Sequence, residues 1–338
     1  AFSQFIVLDF NYKQMINEER AIPFILINNQ NQFLITEEAK IFLSNININN
    51  FCVLSVIGKY RTGKSYLLNK ILLKIKNQKN GFNVGSTVNS CTKGIWIWSK
   101  PIEIRGKEEN RTKVLLMDTE GFSGVGENLN HDSRIFILSL LLSSMFIYNS
   151  LGSIDEQALQ TLGLVTNIAK ELIHNDGTVL SDEQIQEMFP YFIWLVRDFS
   201  LELFNTQGSK ITSKEYLESA LQNVKGNNDF AASKNKLRNL IRHFFPERDC
   251  FTLIRPVENE IKLQMLDQLN EDELRPEFLL ESLNLREEVL KKIKIKKINN
   301  NPINSEQYLK YSEGLIESIN NGGVPNIDNA LIYLQKQE

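Results

Sequence analysis

The amino-acid sequence predicts an α/β fold with a mostly parallel central sheet flanked by helices. Three observations carry the prediction. Residues 51–57, 113–118, 191–196 and 250–254 are near-continuous apolar runs, as expected of strands covered on both faces. Helical periodicity fills the intervals, at 65–76, 155–174 and 213–224, and strands alternating with helices build parallel sheets. Between the first run and the first helix lies Gly58-Lys59-Tyr60-Arg61-Thr62-Gly63-Lys64-Ser65, which matches G-x-x-x-x-G-K-[ST] in the strand–loop–helix context that a phosphate-binding loop requires. The fold class is therefore P-loop NTPase-type.

Each element has its own signal. Residues 5–10 and 24–35 read as short strands or a hairpin, the second turning at Asn28-Asn29-Gln30-Asn31. Thr36 precedes Glu37-Glu38-Ala39 as a helix N-cap, because its hydroxyl can accept an orphan backbone N–H. The apolar run from Ile135 to Tyr148 contains Ser139, Ser143 and Ser144. It falls short of the roughly 20 residues of a membrane span and reads as a buried helix, or a helix followed by a strand. Past Pro256 the chain becomes charged and helical over 261–285. Residues 305–320 form an amphipathic helix stopped by Asn321-Gly322-Gly323 and Pro325, and 327–337 begin another. These signals divide the chain into one large domain, 1–322, and the start of a linker or helical region, 323–338.

Composition bounds the function. Lys and Arg number 38 against 41 Asp and Glu in 338 residues, a net charge of −3. That balance lacks the basic excess of a nucleic-acid binder. At 42% hydrophobic residues, a chain of this length buries roughly three quarters of its unfolded surface without disulfides or metal. Cys52, Cys91 and Cys250 are odd in number and widely spaced, which fits a reducing, cytoplasmic setting better than a disulfide framework or zinc site. Ala1-Phe2-Ser3-Gln4 carries no basic segment ahead of an apolar stretch.

The loop at 58–65 has direct chemistry. Glycines let successive N–H groups turn inward as an anion nest, and the helix that follows points its positive end at a phosphate. Lys64 reaches the β- and γ-phosphates and the Ser65 hydroxyl ligates Mg²⁺. Arg61 is either an arginine finger supplied in cis, neutralising the transferring γ-phosphoryl, or a solvated loop residue. Asp118-Thr119-Glu120-Gly121 ends the second run. Asp118 there can hold a Mg²⁺-bound water, and the Gly121 N–H can meet the γ-phosphate. Phe122 follows and cannot orient water, so hydrolysis needs another polar group. The hydroxyl-rich stretch from Gly85 to Gly94 is a candidate closing loop, with Thr87 and Thr92 both able to ligate Mg²⁺. Arg197-Asp198 follows the third run, at the sheet edge where ligands bind. A carboxylate there reads the N1–H and exocyclic amine of guanine; the alternative is a surface pair. The lysine run 291–297 is either a solvated face or a contact for anionic lipid. His131, His174 and His243 are far apart, without ligand spacing. Asp132 either senses nucleotide or forms part of a dimer surface, or else it caps a helix.

Taken together these segments resemble the guanylate-binding proteins, large GTPases of the dynamin superfamily. The P-loop with Tyr66-Leu67-Leu68-Asn69-Lys70, the stretch Gly85 to Trp98, Asp118 to Gly121, Leu195 to Leu201 and the region from Phe244 to Val257 each look like the family's counterparts. The atlastins share fewer of these segments. The resemblance implies an enlarged GTPase domain that binds GTP and GDP with Mg²⁺, using Gly58, Lys59, Tyr60, Arg61, Thr62, Gly63, Lys64, Ser65, Tyr66, Asp118, Gly121, Arg197 and Asp198. It implies that Arg61 is the cis finger, that Thr92 joins Ser65 and, through water, Asp118 at the metal, and that Ser90 and Glu120 position the attacking water. Asp198 reads guanine, with Arg197 beside it over the base. The implied product is GDP, and in some members GMP. The implied partner is a second copy, docked face to face across the nucleotides, and membranes are reached through a helical region beyond this chain. The resemblance further implies an isolated GTPase domain with its linker helix. Two departures, Cys91 for a common histidine and Leu195 for a common threonine, bear on switch closure and base affinity. The rival readings are a GTP-dependent dimerising scaffold with negligible hydrolysis and an atlastin-like membrane tether.

Overall fold

Five strands run parallel through the centre of the computed structural model: β3 (Phe51–Gly58), β6 (Arg111–Thr119), β7 (Met145–Leu151), β8 (Tyr191–Arg197) and β9 (Arg248–Leu253). Four more extend the sheet in antiparallel fashion: β1 (Ala21–Ile27), β2 (Phe33–Ile35), β4 (Ile95–Trp98) and β5 (Ile102–Arg105). The order is β2-β1-β4-β6-β3-β7-β8-β9, with β5 sharing the β4 edge of β6. The structure describes residues 19–75, 81–84, 93–105, 111–121, 129–163, 166, 186–226, 228–298 and 300–321. The strand expected at 5–10, Thr87, Ser90, Cys91, Thr92, Phe122, His174, Gly322, Gly323, Pro325 and the helix at 327–337 lie outside the described residues.

Strand alternation sorts the apolar residues onto two faces. Val53, Ile57, Phe146, Tyr148, Trp194 and Val196 meet on one face, beneath α1 (Glu37–Asn45), α3 (Leu129–Leu142) and the C-terminal helix Ser305–Asn320. Leu54, Val56, Ile147, Ile193 and Leu195 line the other, beneath the P-loop helix and the helix Pro276–Lys291. Each fully buried side chain of this size stabilises the fold by about 1.5–3 kcal/mol. The hairpin at 24–35 forms as expected, and the Thr36 hydroxyl accepts from the Ala39 N–H at 3.1 Å. The run 135–148 resolves into helix then strand, α3 into β7. Among the described residues no helix is long and apolar enough to cross a membrane.

Three expected helices are shortened, each for a local reason. The P-loop helix α2 is α-helical over Lys64–Tyr66 and π-type over Leu67–Leu72, and Lys74 takes a left-handed φ of 54°. It widens at Asn69, whose amide is turned aside to hold both the N–H and the carbonyl of Phe82 at 2.8 Å. Helix α4 (Ser213–Ala220) stops early; beyond it, Val224 is captured at both backbone groups by Asn235, on α5 (Asp229–Phe244). The stretch 261–285 is broken into α6 (Glu260–Gln264), two short 3₁₀ turns and α7 (Pro276–Lys291). Pro276 at the first helical turn forces Arg275 into an extended conformation, ψ 131°. Helix α8 (Ser305–Asn320) has the expected bounds and opens on an Asn304/Gln307 capping box.

The lysine run at 291–297 is a solvated face only in part: Lys291, Lys294 and Lys297 are exposed, whereas Lys296 is buried. Lys292 pairs with Asp249, Lys294 with Glu247 at 2.9 Å, and Lys291 with Glu288 at 2.8 Å. Lys296 is 4% exposed. The chain returns to the core here, with the Lys296 N–H donating to the Phe51 carbonyl of β3 at 2.8 Å.

Candidate functional site

The carboxyl ends of β6, β3, β7 and β8 lie side by side, and the candidate site is built on them. Gly58, the last residue of β3, is opposite Asn149 of β7 in the parallel register. A side chain there would put its Cβ 2.1 Å from the Asn149 carbonyl oxygen, so only glycine lets the loop leave the sheet at this point. The loop then turns through two left-handed residues, Arg61 at φ 62° and Gly63 at φ 77°. The Thr62 hydroxyl ties it across to the Lys59 carbonyl at 2.8 Å.

Lys64 folds back over the loop, its Nζ donating to the carbonyls of Gly58 at 3.2 Å and Lys59 at 3.1 Å. It is 7% exposed, and burial pushes its ammonium down to about 8, against the opposing pull of Asp118 and Glu120. An anionic ligand would restore the charged form by supplying a partner. The Ser65 hydroxyl donates to the Asp118 carboxylate at 2.7 Å, and Asp118 is fully buried. A hydroxyl and a carboxylate converging beside an ammonium form the hard-oxygen donor set that suits Mg²⁺ sharing a phosphate. The residues present therefore fit that ion. Gly121 closes the corner: a Cβ on it would lie 2.4 Å from the Tyr60 Cα and 2.7 Å from the Lys64 Nζ.

Arg61 is exposed, with its guanidinium carbon 5.4 Å from the centroid of the Tyr60 ring. Tyr60 is itself 44% exposed. Tyr66 is buried at the start of α2, and burial, opposed by the field of Arg197 and aided by those of Glu271 and Asp267, pushes its phenol up to about 12.

Glu120 is engaged on two sides. Its N–H donates to the Gly94 carbonyl at 2.8 Å, and its carboxylate accepts from the Gly94 N–H at 2.9 Å. The same oxygen lies 3.3 Å from the His131 Nε2. That hydrogen bond, ahead of an opposing burial effect, holds the imidazole above its ordinary pKa. His131 also stacks on Phe33, at 6.3 Å and 16°. Glu120 thus fastens the end of the stretch that contains Ser90 and Thr92, both outside the described residues.

The Arg197 side chain reaches under the P-loop. It is 3% exposed and its Nη1 donates to the Gly63 carbonyl at 3.3 Å. The pleat explains this: Arg197 shares its face with Ile193 and Leu195, the face that carries α2. Burial lowers the guanidinium pKa, with Asp198 and Tyr66 opposing. Asp198 turns away at φ 54° and is partly exposed at the sheet edge. Its field reaches Arg255, whose pKa is raised first by a hydrogen bond to Glu260, formed at 2.8 Å.

Motif reading located the loop, Asp118, Glu120, Gly121 and Asp198 on one edge. It missed Asn149 and left His131 as a surface or structural residue. The available signal for Asn149 was a lone amide closing the apolar strand Met145–Leu151.

Residues 30–298 match the family model described as guanylate-binding protein, N-terminal domain. The chain is 40% identical over 324 residues to human guanylate-binding protein 4, covering 94% of this chain and 49% of the relative. It is 38% identical over 324 residues to human guanylate-binding protein 2, covering 94% and 53%. The chain therefore spans about half the length of the curated relatives it matches.

Proposed function

The chain belongs to the guanylate-binding protein family, and on that premise we propose that its P-loop edge binds GTP with Mg²⁺ and hydrolyses it to GDP. One observation carries the reading: Lys64, the Ser65–Asp118 pair and Gly121 converge on one loop, with Asp198 at the end of the neighbouring strand. Lys64 would meet the β- and γ-phosphates, while Ser65 would hold the ion and Asp118 would hold it through water. Such an ion would supply charge neutralisation on the phosphates. Asp198 accepts from guanine, which leaves it unpaired and costly against adenine. Arg61 turns from the Tyr60 ring towards the γ-phosphoryl as the cis finger, and Ser90 and Glu120 orient the attacking water, with Thr92 completing the metal set.

A second copy of the chain docks on this edge and favours the inward Arg61. The exposed apolar residues Tyr60, Leu201 and Phe204, which follow β3 and β8, and Leu151, which ends β7, support a face that another protein covers. The test is steady-state turnover of GTP and ATP at several protein concentrations, with separation of GDP from GMP and light scattering in parallel. Turnover per molecule that rises with concentration and requires guanine is expected. Flat background rates with nucleotide-dependent dimers would favour the scaffold reading instead.

A further inference from the structure

Two consecutive carbonyls of the P-loop point down into the sheet. The Gly63 carbonyl accepts from Arg197 and also from the Leu67 N–H of the first helical turn, at 2.9 Å. Helix formation therefore sets its direction. The Thr62 carbonyl comes one residue too early for that. Among the described residues it receives the Asn149 Nδ2, at 2.9 Å and 87 residues away in sequence.

Asn149 is 1% exposed on the same face as Arg197, and among the described residues its buried Oδ1 has no hydrogen-bond partner. An acceptor left unmade in the core is costly, so the amide is held there for what its other end does. A trans peptide points its carbonyl and the following N–H in opposite directions. Holding the Thr62 carbonyl down holds the Gly63 N–H up, into the nest where a phosphate would sit.

We propose that Asn149 is a positioning residue for the phosphate cradle, fixing the Thr62–Gly63 peptide so that its N–H faces the β- and γ-phosphates. The proposal rests on the nucleotide-binding reading above. Its reach is confined to phosphate: the contact lies under the loop, and the base reader Asp198 follows a different strand, β8.

The experiment measures GDP and guanosine affinities of the full chain in wild type, Asn149→Leu and Asn149→Asp. Leucine has the same number and branching of heavy atoms and no donor, and should weaken GDP by about 10- to 100-fold while guanosine binding stays within about twofold. Aspartate donates to Thr62 only when protonated, so its GDP affinity should fall with rising pH more steeply than the wild type's. This second variant decides the matter if the leucine variant does not fold. GDP affinity unchanged in Asn149→Leu, equal losses of GDP and guanosine, or an Asn149→Asp profile parallel to wild type would each overturn the proposal. Wild-type protein that binds neither compound would instead overturn the nucleotide-binding reading itself.

Discussion

Arg61 and Asp198 both sit in left-handed backbone, at φ 62° and 54°, a conformation that non-glycine residues adopt at a cost unless the surroundings impose it. Each projects from the end of a buried strand and is at least partly exposed. Arg61→Ala should leave nucleotide binding intact and lower hydrolysis by about 10³-fold or more, as loss of an arginine finger does. Single-turnover rates measure this, and wild-type turnover in the variant would remove the finger assignment. Asp198→Asn should weaken GTP roughly a hundredfold and relax base choice, because the amide repels one of the two guanine donors. Competition between GTP and ATP reads it; an unchanged preference would take Asp198 out of the role. These residues were legible in the sequence because the P-loop motif and the strand-ending acids are short-range patterns whose spacing is their geometry. The contacts of Asn149, Arg197 and His131 were not legible. Those residues reach the site through sheet register and the packing of α3, and neither leaves a local pattern.

Secondary elements were legible where one signal sufficed: the apolar strands, the Thr36 cap and the capping box of α8. They were misjudged where tertiary contacts override periodicity, as at Asn69 in α2. The lysine run shows the same limit, because charge in sequence reads as exposure. Lys296 in fact donates to the Leu141 carbonyl at 2.6 Å and to that of Ser143 at 2.9 Å, closing the C-terminus of α3 where a cation is favoured, and it lies over the Tyr311 ring at 5.6 Å. Burial pushes its pKa from 10.5 down to about 7, with Cys52 opposing weakly. Between those values the unfolded chain binds more protons than the folded one. Stability therefore rises as pH climbs from about 7 towards 10.5. Lys296→Met leaves the two carbonyls unmet and removes that rise. The stability gap between wild type and variant should widen from neutral to alkaline pH in urea titrations; a constant gap would mean that Lys296 stays charged in the folded protein.

On the scale of the whole molecule, the last described helix is fastened to the first hairpin. Asn320, ending α8, accepts from the Phe33 N–H and donates to the Phe33 carbonyl, both at 2.8 Å. It thus mimics a further strand on the edge of β2. Arg134 of α3 joins them, donating to the Ile319 carbonyl at 3.4 Å and the Asn320 side chain at 3.2 Å, with its guanidinium 4.5 Å from the Phe33 ring centroid. The same ring stacks on His131, the partner of Glu120. The clasp therefore connects three parts far apart in sequence, the edge hairpin, α3 and the end of α8. Asn320→Ala removes two backbone partners at once and should destabilise the fold by about 1–3 kcal/mol, seen as a lower urea midpoint with an unchanged slope. Because the P-loop rests on β3, β7 and β8, GDP affinity should hold steady under native conditions. If turnover falls while GDP affinity and the fold persist, the loss runs through Phe33 and His131 to Glu120. A double variant with His131→Ala would then lose no more turnover than His131→Ala alone, whereas additive losses would separate the clasp from the site.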